Sequence, residues 1–127
     1  MSIKIIAPIA PVTWSRPQFD SRSKTVFNKP KLVEFENSLG IFAKEAMRGR
    51  PPLSGEVKLS AKFFRPKPKP RKGKPPLVSF IGDTDRYLNA VLDALQGICY
   101  FDDRQVTKIY AEKIFGTPHV EIELEAI

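Results

Sequence analysis

One cysteine and one histidine in 127 residues leave little room for several kinds of chemistry. A lone Cys99 excludes an internal disulfide, and its place in the apolar run Ile98-Cys99-Tyr100-Phe101 is that of a buried free thiol. A reducing cytoplasm suits such a chain. With His119 alone near the end, no His-based metal cluster is available, and no Ser-His-Asp or Cys-His arrangement has a second member. A glycine-rich phosphate loop is also missing, which argues against a nucleotide hydrolase. No apolar run reaches membrane-spanning length. The segment MSIKIIAPIAPV is broken by Pro8 and Pro11 and lacks a charged leading region and a small-residue cleavage site. The expectation is a soluble, unexported protein with no membrane partner.

Acidic residues are the minority: 14 Asp and Glu stand against 21 Lys and Arg, for a formal charge of +7. Such an excess points to an anionic polymer or surface as partner, without choosing among DNA, RNA and membrane. The length fits one domain over residues 1–127, small enough to gain from pairing with a second copy.

Hydrophobic patterning predicts an α+β fold, a mixed sheet with two main helices in the order β-α-β-(β)-α-β-β. Ile3 to Ile9 reads as a strand. Residues 11–29 mix Pro, Ser, Arg and Lys without a period and read as an exposed basic loop. From Pro30, the residues Leu32, Phe35, Leu39, Phe42, Ala43 and Ala46 recur at helical spacing, with Gly49 suited to the C-terminal cap. Val57, Leu59, Ala61 and Phe63 alternate with Lys58, Ser60 and Lys62 as a one-sided strand. Residues 65–76 then carry Arg65, Lys67, Lys69, Arg71, Lys72 and Lys74 among prolines, a loop whose like charges repel. Leu77 to Ile81 reads as a short strand. Leu88, Val91, Leu92 and Leu95 form the stripe of a second helix ending at Gly97. Val106 to Phe115 and His119 to Leu124 read as a closing hairpin.

In this basic chain the acids gather. Asp83 and Asp85 stand at the mouth of the second helix, and Asp102 and Asp103 follow it after a short turn. A helix of about twelve residues spans roughly 18 Å, so the pairs meet only if the chain folds back after Gly97. Two readings fit the spacing. The carboxylates act as helix caps and a solvated turn, or they form a cluster whose repulsion a divalent cation relieves. Oxygen-only ligands favour Mg²⁺ or Mn²⁺, which also bind substrate phosphate. That is nuclease-like chemistry, in which a metal activates water and screens the leaving oxygen.

The stretch GDTDRYLNAVLDALQGICYFDDRQV, followed by Lys113, resembles the RusA family of Holliday junction resolvases, common in phages and prophages. That family carries D-x-D-N-x-x-K, then D-A-L-x-x-G, then D-D-x-Q-V. Asp83 and Asp85 match the first pair, Asp93-Ala94-Leu95 with Gly97 the middle, and Asp102-Asp103-Arg104-Gln105-Val106 the last. The match is densest from Asp83 to Lys113. The resemblance implies that Asp83, Asp85 and Asp103 are the metal-binding catalytic carboxylates, with Asp102 in support. It also implies a homodimer with two sites, Mg²⁺ or Mn²⁺ dependence, and paired nicks across four-way DNA. Two positions depart from the family. Arg86 replaces an asparagine, and Asn89 replaces a functionally important lysine. Arg86 and Asn89 share a helix face, which offers the guanidinium as a substitute phosphate clamp, although it is not equivalent to an ammonium.

The expected catalytic set is therefore Asp83, Asp85, Asp103, Arg86 and Lys113, with Asp102 completing the metal ligands. Arg16, Asn89 and the six cations of residues 65–74 are the expected DNA contacts. Lys113 also reads as a solvated strand lysine, and Asp93 has no assigned role. Trp14, Phe19, Phe27 and Tyr100 read as core aromatics, with stacking on an opened base as the alternative. The second functional reading is a basic junction-binding protein of the same fold with weak or no cleavage.

Overall fold

Alternation of apolar and polar side chains builds the central sheet of the computed structural model, which describes residues 2–127. Its strands are β1 (Ser2–Ala7), β4 (Val57–Arg65), β5 (Val106–Phe115) and β6 (His119–Ala126), in the order β1-β6-β4-β5. A separate two-stranded hairpin joins β2 (Gln18–Asp20) to β3 (Thr25–Phe27). The helices are α1 (Pro30–Met47) and α2 (Thr84–Leu95). This is the α+β fold with two main helices that the patterning predicts.

Register puts the apolar positions of each strand on one face. Ile5 and Ala61 both lie beside Ile122, and Ala7 and Phe63 both lie beside Val120. These side chains are buried under the helices, and full burial of a residue such as Phe63 is worth about 1.5–3 kcal/mol. The opposite face pairs unlike charges across strands, Lys4 with Glu123, Lys62 with Glu121 and Lys58 with Glu125.

Three local expectations are corrected. Residues 11–29 contain the β2–β3 hairpin, whose short, exposed strands leave no burial pattern to read. Leu77 to Ile81 is not a strand, because the Lys113 and Tyr87 side chains, and not a neighbouring strand, satisfy the carbonyls of Phe80 and Ile81. The last two strands do not form a hairpin, since β4 lies between them, parallel to β5 and antiparallel to β6. The chain crosses the end of β4 through residues 116–118, where the Gly116 amide donates to the Arg65 carbonyl at 2.9 Å. Alternation reports which face is buried, not which strand is the neighbour.

Helix α1 starts with Pro30 in its first turn and buries Leu32, Phe35, Leu39, Ala43 and Met47. It closes at Arg48, a residue with left-handed φ of 51°. Helix α2 buries Tyr87, Ala90, Val91 and Leu95. It runs from the ends of β4 and β5 back toward their beginnings, and this direction sets the geometry of the acidic residues. Cys99, just beyond it, is buried, and burial pushes its thiol up to about 11. No described helix is long and apolar enough to cross a membrane.

Candidate active site at the two ends of helix α2

Asp83 occupies the position before the first turn of α2, and its backbone carbonyl accepts from the Arg86 and Tyr87 amides at 3.1 and 3.2 Å. Its side chain makes no capping hydrogen bond. The carboxylate is therefore left without the structural work a capping aspartate performs. The segment before it is gripped through three successive carbonyls. The Lys113 ammonium donates to those of Phe80 and Gly82, and the Tyr87 hydroxyl donates to that of Ile81 at 2.7 Å. Lys113 also lies 4.7 Å from the centre of the Phe80 ring, a cation–π contact. It is half-buried and committed to structure, unlike a solvated strand lysine.

Gly82 makes this grip possible. Its φ is 109°, and a β-carbon there would lie 2.6 Å from the Tyr87 ring. No other residue fits without displacing the tyrosine.

Asp85, in the first turn, faces a cleft of about 470 Å³ with Arg86 and Asn89 on one wall and Trp14, Ser15, Arg16 and Lys29 on the other. The Trp14 amide donates to the Arg86 carbonyl at 2.9 Å and fixes this wall to α2. Among the described residues the ion pairs are Arg104 with Asp102 and His119 with Glu121. Arg16, Lys29 and Arg86 thus converge beside Asp85 without forming one. A wider depression of about 620 Å³ lies between β1 and α1, away from all four aspartates.

At the other end of α2, the buried Tyr100 donates its hydroxyl to the Leu92 carbonyl at 2.6 Å. Gln105 then fixes the following turn with its whole amide. It accepts from the Phe101 and Asp102 amides and donates to the Leu53 and Gly55 carbonyls. Asp102 caps the turn through the Arg104 amide at 2.8 Å, and the Arg104 guanidinium also holds it, keeping its carboxyl below the usual range. Asp103 has its amide on Gln96 at 3.1 Å, which places it under the C-terminal end of α2. Asp93 shares this end of the helix. Its carboxyl is pushed up by desolvation and by the charge of Asp103, which outweigh the nearby Trp14 indole. Glu36 of α1 is raised likewise, by desolvation and then by Asp93.

The chain does not fold back after Gly97 to bring the two acidic pairs together. Asp83 and Asp85 stand at one end of a 12-residue helix and Asp102 and Asp103 at the other, about 18 Å away along its axis. Among the described residues no three His, Cys, Asp or Glu side chains lie close enough to share a metal ion. The reason is physical: β5 begins beside the start of β4, so the turn that delivers Asp102 must end there.

A family profile for endodeoxyribonuclease RusA matches residues 8–125. The chain belongs to the RusA endodeoxyribonuclease family. No curated protein matches it. The matched span of this RusA-family chain includes both acidic pairs, Lys113, the cleft and both basic segments.

The basic residues divide by what they touch. Arg65 is half-buried with its guanidinium on the Pro11 carbonyl, so it ties two loops together. Arg71 donates to the Pro75 carbonyl at 2.9 Å within its own loop. Lys67, Lys69, Lys72 and Lys74 extend from the same loop without an ion pair. Of the aromatics read as core, Tyr100 is buried and Trp14 half-buried, whereas Phe19 and Phe27 are exposed. Lys29, Gly82 and Tyr87 were not apparent as site residues. Only the glycine directly before a helix-opening aspartate carries a local sequence signal.

Proposed function

We propose that this chain is a homodimeric, Mg²⁺- or Mn²⁺-dependent endodeoxyribonuclease that resolves four-way DNA junctions by paired symmetric nicks, in a bacterial cytoplasm. The observation that carries this reading is the family match across residues 8–125, which takes in every acidic residue of both pairs. The free carboxylates of Asp83 and Asp85 support it, as does the chain's +7 charge.

The donor set fits the metal. Mg²⁺ commonly binds one or two carboxylates and completes its shell with waters and substrate phosphate. Asp83 and Asp85 offer such a pair. Asp83 and Asp85 would hold the metal, which when bound would supply an activated water and charge screening for the leaving 3′-oxygen, and hydrolysis of that P–O bond would leave 5′-phosphate and 3′-hydroxyl ends. Lys113 and Tyr87 fix the peptide before Asp83, and Arg86 binds the phosphate.

Because α2 separates the acidic pairs, each complete site takes Asp83 and Asp85 from one protomer and the partner's Asp103. Two antiparallel α2 helices related by a two-fold axis bring these ends together twice, once for each strand to be cut. Asp102, already held by Arg104, supports the turn.

The asparagine at position 89 favours a second reading, junction binding with little cleavage. The deciding experiment is cleavage of a labelled four-way junction and of a linear duplex of the same sequence, in Mg²⁺, in Mn²⁺ and in chelator, with Asp85→Asn as control. Symmetric, metal-dependent nicks confined to the junction and lost in the variant establish the resolvase. Tight junction binding without nicks establishes the second reading.

A further inference from the structure

The β2–β3 hairpin presents apolar side chains to solvent. Phe19 and Val26 are directly opposite in its register and so share a face, where they are 64% and 68% exposed. Phe27 is exposed on the other face. Its turn is nevertheless well braced. The Arg22 amide donates to the Asp20 carboxylate at 2.9 Å, the Ser23 and Thr25 hydroxyls are 2.6 Å apart, and Lys24 adopts a left-handed φ of 56°. Beyond its own two strands, the hairpin makes no extensive contact with a helix or with the main sheet.

We propose that this hairpin is an apolar wedge that engages unstacked bases at the centre of branched DNA, with the Phe19–Val26 face as the contact surface. The proposal rests on the junction-nuclease reading above. Charge identifies the occupant. Arg16, Arg22, Lys24, Lys29 and Lys31 surround the hairpin, and Asp20, the one acid among residues 14–33, is committed to the turn. An apolar face in a cationic field suits nucleic acid, whereas two copies of it repel each other. Position agrees, because Gln18, the first residue of β2, and Lys29, two residues beyond β3, both line the cleft holding Asp85 and Arg86. A phosphate in that cleft leaves its neighbouring base beside the hairpin. Apolar wedges bind where base steps are already open, and an intact duplex offers no such step without unstacking. The hairpin thereby favours branch points over linear DNA.

The test compares Phe19→Ala with Ile6→Thr, which removes an equally exposed apolar side chain from the β1 edge. Binding is measured in chelator, so that cleavage plays no part, on a junction carrying 2-aminopurine at the branch and on a matching duplex. Wild-type protein and Ile6→Thr are expected to prefer the junction and raise the probe's emission. Phe19→Ala is expected to lose about tenfold in junction affinity and the emission rise, while duplex affinity stays within about twofold. Unchanged preference and emission in Phe19→Ala overturn the wedge alone. So does a loss that follows dissociation to monomers in sedimentation, which makes the face a contact between copies. A wild-type protein with no preference for junctions overturns the underlying reading as well.

Discussion

Lys113, near the end of β5, donates to the carbonyl of Gly82, the peptide immediately before Asp83. A cation from the last third of the chain thus sets the backbone that carries the first acidic pair. Lys113→Met leaves the Phe80 and Gly82 carbonyls without this donor and is expected to cost about 1–3 kcal/mol in urea unfolding. Junction cleavage should fall further than the loss of folded protein explains, because Asp83 is no longer held. Lys113→Arg should recover stability better than activity.

Gly82→Ala tests the same grip from the other side. The added methyl meets the Tyr87 ring at 2.6 Å on a backbone with positive φ, so the variant should lose about 1–3 kcal/mol. Tyr87→Phe, which removes only the hydroxyl on Ile81, is expected to lose less, about 1 kcal/mol. Parallel urea melts give the comparison.

The proposed two-protomer site makes a mixing prediction. Asp85→Asn and Asp103→Asn should each be inactive alone. Co-refolded in equal amounts, they form mixed dimers in which one site carries both changes and the other carries neither. About a quarter of wild-type sites should return, read as single nicks on junction DNA. A mixture as inactive as its components places each site within one chain.

Elements were legible in the sequence where burial is one-sided and periodic. The stripes from Leu32 to Ala46, from Val57 to Phe63 and from Leu88 to Leu95 each announce their element, because core packing constrains them along the chain, although α2 buries Tyr87 and Ala90 more deeply than Leu88 and Leu92. Structure that depends on neighbours was not legible. Alternation in Val120, Ile122 and Leu124 shows a buried face but not that β4 lies between the last two strands. The acidic pairs were visible as motifs, but the path of the chain after Gly97 was not, because the pairing of β5 with the start of β4 decides it. The grip on Phe80, Ile81 and Gly82 was hidden, because Lys113 is distant in sequence and carbonyls leave no trace in side-chain chemistry.

The lysines of residues 66–74 are expected to act through phosphates. Replacing Lys67, Lys69, Lys72 and Lys74 by glutamine should weaken junction and duplex binding alike. The slope of log affinity against log salt should flatten by about 0.9 for each phosphate that is no longer neutralised. A salt titration by anisotropy checks this, and an unchanged slope removes the loop from the DNA interface.

His119 provides a pH test away from the acidic ends. Its ring is stacked on Phe64 and bonded to Glu121 at 2.7 Å. That bond, with the Thr117 carbonyl and the charge of Glu121, raises the imidazole above its ordinary 6.5 despite partial burial. Because the folded value is the higher one, the pair's stabilisation is fully present below about 6.5 and is lost as pH rises through the folded value. NMR titration should place His119 above about 6.5 in the native protein and lower in Glu121→Gln. The stability difference between the two proteins should shrink toward alkaline pH.

Helix α2 also limits how this chain can change length. A residue added among 66–76 lengthens a loop that no strand or helix must match. One added within α2 turns everything before it by about 100° and shifts it by about 1.5 Å relative to everything after it. Asp83 and Asp85 would then face elsewhere while Asp103 stayed fixed by Gln96 and Gln105. Loop insertions should therefore be common among working relatives, and insertions within α2 should be absent from them.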